Sequence, residues 1–500
     1  MKQRTFKGLP LFLHPLPFPV PMKYLNIILV AFSLILLIAA GGLLGSCTEE
    51  DLNTEPSFRL SFSNDTVIFD TVFTSVGTAI KHFTVRNESN KRITISSVKL
   101  ARGSGSPFRI NIDGEASFEV KDLEIAANDS AFIFVKVTID PKDLASPMIE
   151  TDSVVFITNG NQQNVKLVAW GQDAHFYHHD TLQGNMVLDS LKPHVIYSNL
   201  VADPSCILSI EAGAKLHFHL NSGIIIRNGA TIKVNGTLEH PVLFRGDRLD
   251  AEYSGVPGQW TGIRIEGNSS GNIFNYADIR NGRIGVLLDS SFVGTEPKVI
   301  FNSCIIHNMV NYGILSIHSS ILAVNSQITN SGGYTVAIEG GGKCEFRQCT
   351  ISNFWSSSSK QFSTLLLSNS LGISGSPVPV PLEDAYFGNC IITGNGPEEI
   401  DLDNNPGAEL NFRFDHCLVQ TDLSSAYPDS FIQCKVNEEP KLIDPWNGYF
   451  ELDTLSPAKD AGWLPVIDSS PLDIKTDLKG KSRLIDLGPD LGCYERIEKM

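Results

Sequence analysis

Between residues 57 and 173 apolar and polar positions alternate in short runs, among them Val67-Ile68-Phe69, His82-Phe83-Thr84-Val85, Ile93-Thr94-Ile95, Phe108-Arg109-Ile110-Asn111-Ile112 and Ala131-Phe132-Ile133-Phe134-Val135. A period of two, interrupted by polar turns, predicts an antiparallel β-sandwich over this stretch. The pattern changes near residue 180. Apolar runs shorten and glycines punctuate them, as in Ile210-Glu211-Ala212-Gly213-Ala214 and Ile224-Ile225-Ile226-Arg227-Asn228-Gly229. A chain that turns a corner every few residues, without a helical period, predicts a solenoid.

Further along, the coils align directly: Ala277-Asp278-Ile279-Arg280-Asn281, Cys304-Ile305-Ile306-His307-Asn308, Ser326-Gln327-Ile328-Thr329-Asn330, Cys349-Thr350-Ile351-Ser352-Asn353, Cys390-Ile391-Ile392-Thr393-Gly394 and Cys417-Leu418-Val419-Gln420-Thr421. Their first residues are 27, 22, 23, 41 and 27 positions apart. A spacing near 22 suits one three-sided coil, and the excesses are loops. The interval of 41 holds either two coils or one coil with a long excursion through the serine-rich stretch 356–376. Stacking would put Ile279, Ile306, Ile328, Ile351, Ile392 and Val419 in one internal column. Asn281, Asn308, Asn330 and Asn353 would line a turn, where amides tolerate left-handed backbone and can bond coil to coil. Stacked Cys390 and Cys417 could approach disulfide distance or act as free apolar fillers.

The glycine-punctuated opening, Trp260-Thr261-Gly262-Ile263 and the Cys-x-Ile-x-Asn coils resemble the pectate-lyase-like superfamily of right-handed β-helix proteins. The resemblance implies a right-handed parallel β-helix over residues 180–435, on a scaffold that carries lyases, hydrolases, esterases, adhesins and inert stalks alike. Phe83-Thr84-Val85-Arg86-Asn87, Asn128-Asp129-Ser130 and Leu167-Val168-Ala169-Trp170-Gly171 resemble the immunoglobulin-like modules related to the abnormal-spindle and Hydin domain, which implies a spacer or adhesion unit at 57–173. The fold class expected is therefore all-β, a right-handed parallel β-helix behind an N-terminal immunoglobulin-like β-sandwich. The closing segment 436–500, with Ser456-Pro457-Ala458, Asp477-Leu478-Lys479-Gly480-Lys481-Ser482-Arg483 and Gly492-Cys493-Tyr494-Glu495, resembles the C-terminal signature of exported β-helix proteins. It is expected to cap the open end of the solenoid, with Arg483 paired to Asp477 or Asp486.

The N-terminus adds a location. Residues 1–21 carry Pro10, Pro15, Pro17, Pro19 and Pro21, too many for a continuous helix, and are taken as an upstream extension. Met22-Lys23-Tyr24, an apolar run over 25–44 and the small residues Gly45-Ser46 have the layout of a secretory signal at 22–46. Leu44-Gly45-Ser46-Cys47 resembles the lipobox of bacterial lipoproteins, which implies acylation of Cys47, a linker at 47–56 and a partner membrane held through the lipid anchor. A plain transmembrane helix is the alternative on length. Thr48-Glu49-Glu50-Asp51 resembles the surface-export tag of some Gram-negative lipoproteins, or is a solvated linker. An outer-membrane lipoprotein facing either the periplasm or the cell surface is expected.

The net charge of −16 argues against nucleic acid as a partner, because phosphate binding needs clustered cations. Polysaccharides or surface proteins remain. Aligning the coils at the Cys positions gives no acidic column, since Ile305 and Gln327 follow Asp278, and Asp289 and Glu339 fall at unequal registers. This disfavours a lyase or hydrolase, which needs converging carboxylates. Binding without catalysis is the first reading. A polysaccharide lyase or glycosidase using Asp289, Glu339, Asp401 or Asp403 is the second, and a structural stalk the third. No cofactor is expected. Calcium at Asp401-Leu402-Asp403-Asn404-Asn405 is the one alternative to a solvated acidic loop. His217 and His219 are expected to face outward together, short of a metal site. Trp260 and Trp355 are candidates for stacking on sugars, or corner packing.

Overall fold

Strand alternation organises the N-terminal part into two five-stranded sheets in the computed structural model, which describes residues 51–498 apart from 78–79, 113, 292–293, 295 and 374–375. The leader and Cys47 lie outside the described residues. One sheet contains Lys81–Arg86, Ser130–Val137 and Phe108–Ile112; the other contains Thr66–Phe73, Asn161–Gln172, Met148–Thr158 and Ile93–Leu100. Every second residue points inward, so Phe69, Phe83, Phe108, Ile133, Phe156 and Leu167 share one core while Phe132 and Phe134 stay outside. Most pairs are antiparallel, but Thr66–Phe73 lies parallel to Asn161–Gln172.

From His175 onward the chain winds as a right-handed parallel β-helix with three faces. The first runs through Gly223–Ile226, Gly262–Ile265, Ile284–Leu288, the start of Tyr312–Val324, the start of Val336–Arg347, Leu365–Ser368 and Ile400–Asp403. The second takes the later halves of those long strands with Leu382–Gly388 and Leu410–Asp415. The third is an eleven-stranded sheet from His175–Tyr177 to Lys435–Val436.

On the third face Ile279, Ile306, Ile328, Ile351, Ile392 and Val419 are consecutive register partners, the column expected from the sequence. Because Ile351 pairs directly with Ile392, the 41-residue interval is one coil. It carries an excursion at 354–364 and a hairpin, Ser370–Ile373 with Ser376–Pro379. The second face contributes stacked rings, with Phe346–Phe387, Phe387–Phe414 and Phe414–Phe431 centroids 5.1, 4.9 and 4.9 Å apart.

Corners between the second and third faces are made by single residues in left-handed conformation: Tyr276, Ser303, Asn325, Gln348, Asn389, His416 and Gln433, with φ from 45 to 57°. Each is followed by a small buried or part-buried residue, Ala277, Cys304, Ser326, Cys349, Cys390, Cys417 or Cys434. The next corner holds Asn281, Asn308 and Asn330 at φ of 57–63°. Asn353 departs from that turn and is buried in its strand, where its amide bonds Ser331 of the coil before. Cys390 and Cys417 are free thiols.

The closing segment, expected across the open end, instead lies along the side of the third face. Apolar residues pointing outward from these coils dictate this position: Ile391 and Leu418 pack with Leu452, Ala458 and Leu491, and Ile305 and Phe354 with Phe450, Leu478 and Tyr494. Polar bonds fix it, from Tyr494 Oη to Gln327 Oε1 at 2.7 Å and from Arg483 to Asn325 Oδ1 at 2.8 Å. Arg483 pairs with Glu495 at 3.2 Å, both fully buried, rather than with Asp477 or Asp486. Asp477 accepts from the backbone N–H groups of Lys479, Lys481 and Glu495 instead. Beyond the last coils Leu423, Tyr427 and Phe431 pack against the solenoid core.

Candidate carboxylate–tyrosine site

The first face brings together most of the acids singled out in the sequence. Parallel register sets the positions. Leu366 pairs with Asp401, Ser368 with Asp403, and Ile317 with Glu339. Asp289 directly follows Leu288, which pairs with Ser316, and Glu339 directly follows Ile338, which pairs with Leu367. Asp289, Ile317, Glu339, Ser368 and Asp403 therefore share one outward column, with an acid on alternate coils. An alignment anchored on the Cys positions missed this because it registered the third face, while loops of unequal length separate that face from the first.

Geometry separates the roles of these acids. Asp289 accepts from Arg264 at 2.7 Å, and its backbone carbonyl takes the Lys298 ammonium at 2.6 Å. Burial holds the Lys298 pKa down at about 8. Asp401 has both oxygens engaged, Oδ2 by the Tyr334 hydroxyl at 2.9 Å and Oδ1 by Ser363 at 2.9 Å. Asp403 accepts from Ser368 at 2.7 Å. Burial together with the Asp401 carboxylate pushes the Tyr334 phenol well above its usual range, so it stays a neutral donor. Glu339 is half-buried and has no hydrogen bond among the described residues. Burial, and then the nearby Asp403 charge, raise its pKa. Tyr312 feels the Glu339 charge, and Phe362 packs against Tyr334 with centroids 5.2 Å apart, completing an aromatic flank. Behind this surface Glu399, fully buried, accepts from Lys360 at 2.5 Å and from Thr364 at 2.6 Å.

The remaining candidates lie elsewhere. Trp260 is fully buried inside the coil, stacked on Phe218 at 4.2 Å with its indole N–H donated to the Arg280 carbonyl at 2.8 Å, so it offers no face to a sugar. Trp355 is 5% exposed and bonds Ser358. The half-exposed indoles are Trp446 and Trp463, both on the closing segment, where no periodic pattern singles them out; Trp463 is stacked on His416 at 4.8 Å. His217 does not face solvent with His219: Phe73 of the sandwich covers it at 5.0 Å, and burial drives its pKa down to about 3. His219 bonds Asp247 at 2.7 Å. Among the described residues no group of three or more His, Cys, Asp or Glu side chains is arranged to hold a metal ion.

A family profile described as a right handed beta helix region matches residues 196–351. That stretch is a right-handed β-helix. No curated protein matches the chain. Among solved structures, the catalytic domain of a GH87 alpha-1,3-glucanase in complex with nigerose is similar over 69% of this chain and 82% of its own, at 11% identity and a TM-score of 0.18. The PapD-like domain 7 of human CEP192 is similar over 26% of this chain and 94% of its own, at 10% identity and a TM-score of 0.16. A family 123 glycoside hydrolase from Clostridium perfringens is similar over 24% of this chain, which spans 30% of the hydrolase, at 9% identity and a TM-score of 0.17.

Proposed function

We propose that this chain is an exported protein, anchored to the outer membrane by acylation of Cys47, whose β-helix binds glycans on its first face without turning them over. One observation carries the reading: an aromatic flank of Tyr312, Tyr334 and Phe362 adjoins carboxylates whose oxygens already hold protein hydroxyls. Rings suit the C–H faces of sugars, and fixed carboxylates with hydroxyls suit their O–H groups. With both Asp401 oxygens engaged, it is poorly placed to activate water. The sandwich serves as a spacer, and the acidic balance of the chain keeps nucleic acid out of the picture.

Hydrolysis is the second reading, and Glu339 favours it. A half-buried carboxyl with a raised pKa suits a general acid. Asp403 stands two coils away, on the order of 10 Å between backbones, a separation near that of the inverting glycosidases.

A panel of soluble polysaccharides decides between them. Binding with no new reducing ends and no unsaturated products is the expected result. Turnover that disappears in Glu339→Gln would replace the first reading by the second, and failure to bind any glycan would overturn both in favour of a stalk.

A further inference from the structure

The third face carries a groove separate from the carboxylate site. It begins in a hollow of about 430 Å³ lined by Asn281, Asn308, Asn330, His307, Trp355 and Trp446. Past Phe354 it continues into a second hollow of about 530 Å³ bounded by Gln420, Asn437 and Lys441. The Phe354 and Trp446 rings meet edge-on, 5.4 Å apart, and form the ridge between the two. Trp446 is 52% exposed and sits on the turn Pro445–Asn447, so the closing segment supplies one wall and the coils the floor.

The floor repeats with the solenoid. Asn308 and Asn330 present an amide from each of two successive coils, with Asn281 buried beneath the 254–255 loop as their support, and coils stack at about 4.8 Å. Asn308 donates to Asn281 Oδ1 at 2.6 Å, whereas Asn308 Oδ1 and Asn330 Nδ2 carry no hydrogen bond among the described residues and are left for a ligand's own donors and acceptors. The charges nearby are self-contained: Asp278 is bound by Arg280 and lies 3.7 Å from His307. In the second hollow Lys441 stands with Glu438 and Glu439, so the lining carries no net positive charge to select an anionic chain.

We propose that this groove is a second glycan site, taking an unbranched, neutral, β-linked polysaccharide laid along the solenoid axis with about one sugar per coil and its middle stacked on Trp446. An extended peptide fits less well. Its side chains recur on one face every ~6.6 Å, out of step with the amides, and its backbone needs a free sheet edge. The strands of this face are already paired on both sides.

The test titrates the full-length chain with neutral β-1,4-linked di-, tetra- and hexasaccharides of glucose, xylose and mannose, followed by calorimetry. Affinity for at least one series should climb with length. Trp446→Ala should weaken hexasaccharide binding by about tenfold or more, and Trp446→Phe should retain most of it. Asn308→Ala with Asn330→Ala should cost about fivefold. Ile149→Ala, at an exposed position of the sandwich remote from both sites, should leave this binding intact, and loss confined to the Trp446 and Asn variants ties the affinity to this groove and not to the carboxylate site. Hexasaccharides that bind no tighter than disaccharides, full affinity in Trp446→Ala, or a preference for oligogalacturonate would overturn the proposal.

Discussion

At the scale of the residue, one position per coil does most to set the shape of the solenoid. A left-handed corner residue costs little for Asn and more for other side chains, yet Tyr276, Gln348 and His416 adopt it as well. What recurs is the small residue that follows. Cys304, Cys349, Cys390, Cys417 and Cys434 each direct their thiol to the carbonyl two residues back and to a carbonyl of the coil before, at 3.2–3.5 Å. Ser326 takes the same place and donates to the Val324 carbonyl at 2.8 Å. A hydroxyl is thus already tolerated in this column. Cys349→Ser should change the stability by about 1 kcal/mol or less in urea titration; a loss several times larger would show that the thiols are filling volume a serine cannot. Burial pushes the Cys304 thiol up to about 12, so the native protein should react slowly with thiol reagents there. Trp260 belongs at this scale as well. Its stack on Phe218 and bond to Arg280 fill the coil, so Trp260→Ala should destabilise by about 3–5 kcal/mol while leaving hexasaccharide affinity at the Trp446 groove nearly unchanged.

At the scale of the element, the closing segment joins the coils through a buried acid cluster. Burial and the neighbouring Asp490 charge raise the Glu495 pKa to about 8, against the pull of Arg483, and burial raises Asp490 to about 6. Both folded values lie above those of the unfolded chain. The folded state therefore keeps protons that the unfolded state releases, and this stabilisation, complete at acid pH, is lost as pH rises from about 4.5 toward 8. Urea melts should show stability falling across that window by on the order of 1–3 kcal/mol, with a flatter slope in Glu495→Gln; an equal slope in the variant would place the titration elsewhere. The same segment marks the limit of what was legible in the sequence. Short apolar runs broken by glycine announced the solenoid, and the matching Ile positions gave the register of one face, because identical environments stacked along an axis select like residues. The acid column of the first face was invisible, since loops of different length separate it from the aligned positions. The lateral placement of the closing segment was hidden too, as it depends on outward residues such as Ile391 and Leu418 that read like any strand alternation.

At the scale of the molecule, the order of parts supports a stand-off arrangement. Leu52 and Asn53 bridge to Arg92 at one end of the sandwich, beside the turns holding Ser89 and Asn128. The opposite end meets the solenoid, where Phe73 covers His217 and Lys192 pairs with Asp143. The eight-residue strand Thr66–Phe73 runs from the first end toward the second, which separates them by roughly 25 Å. Cys47 precedes Asp51 by a few residues, so an acyl anchor there would hold the near end of the sandwich at the lipid surface and carry the solenoid faces clear of it. Such an anchor needs more than one acyl chain to be stable, and all of them attach through Cys47. Expressed in a Gram-negative host, the wild-type chain should therefore fractionate with membranes and incorporate a labelled fatty acid, while Cys47→Ala should lose the label. Because the apolar run over 25–44 would remain uncleaved in that variant, the label and the N-terminal mass, rather than fractionation alone, decide the matter. An unlabelled wild-type chain that keeps residues 25–44 would mean a transmembrane helix holds the protein instead, and the stand-off distance would then be set by the linker rather than by the sandwich.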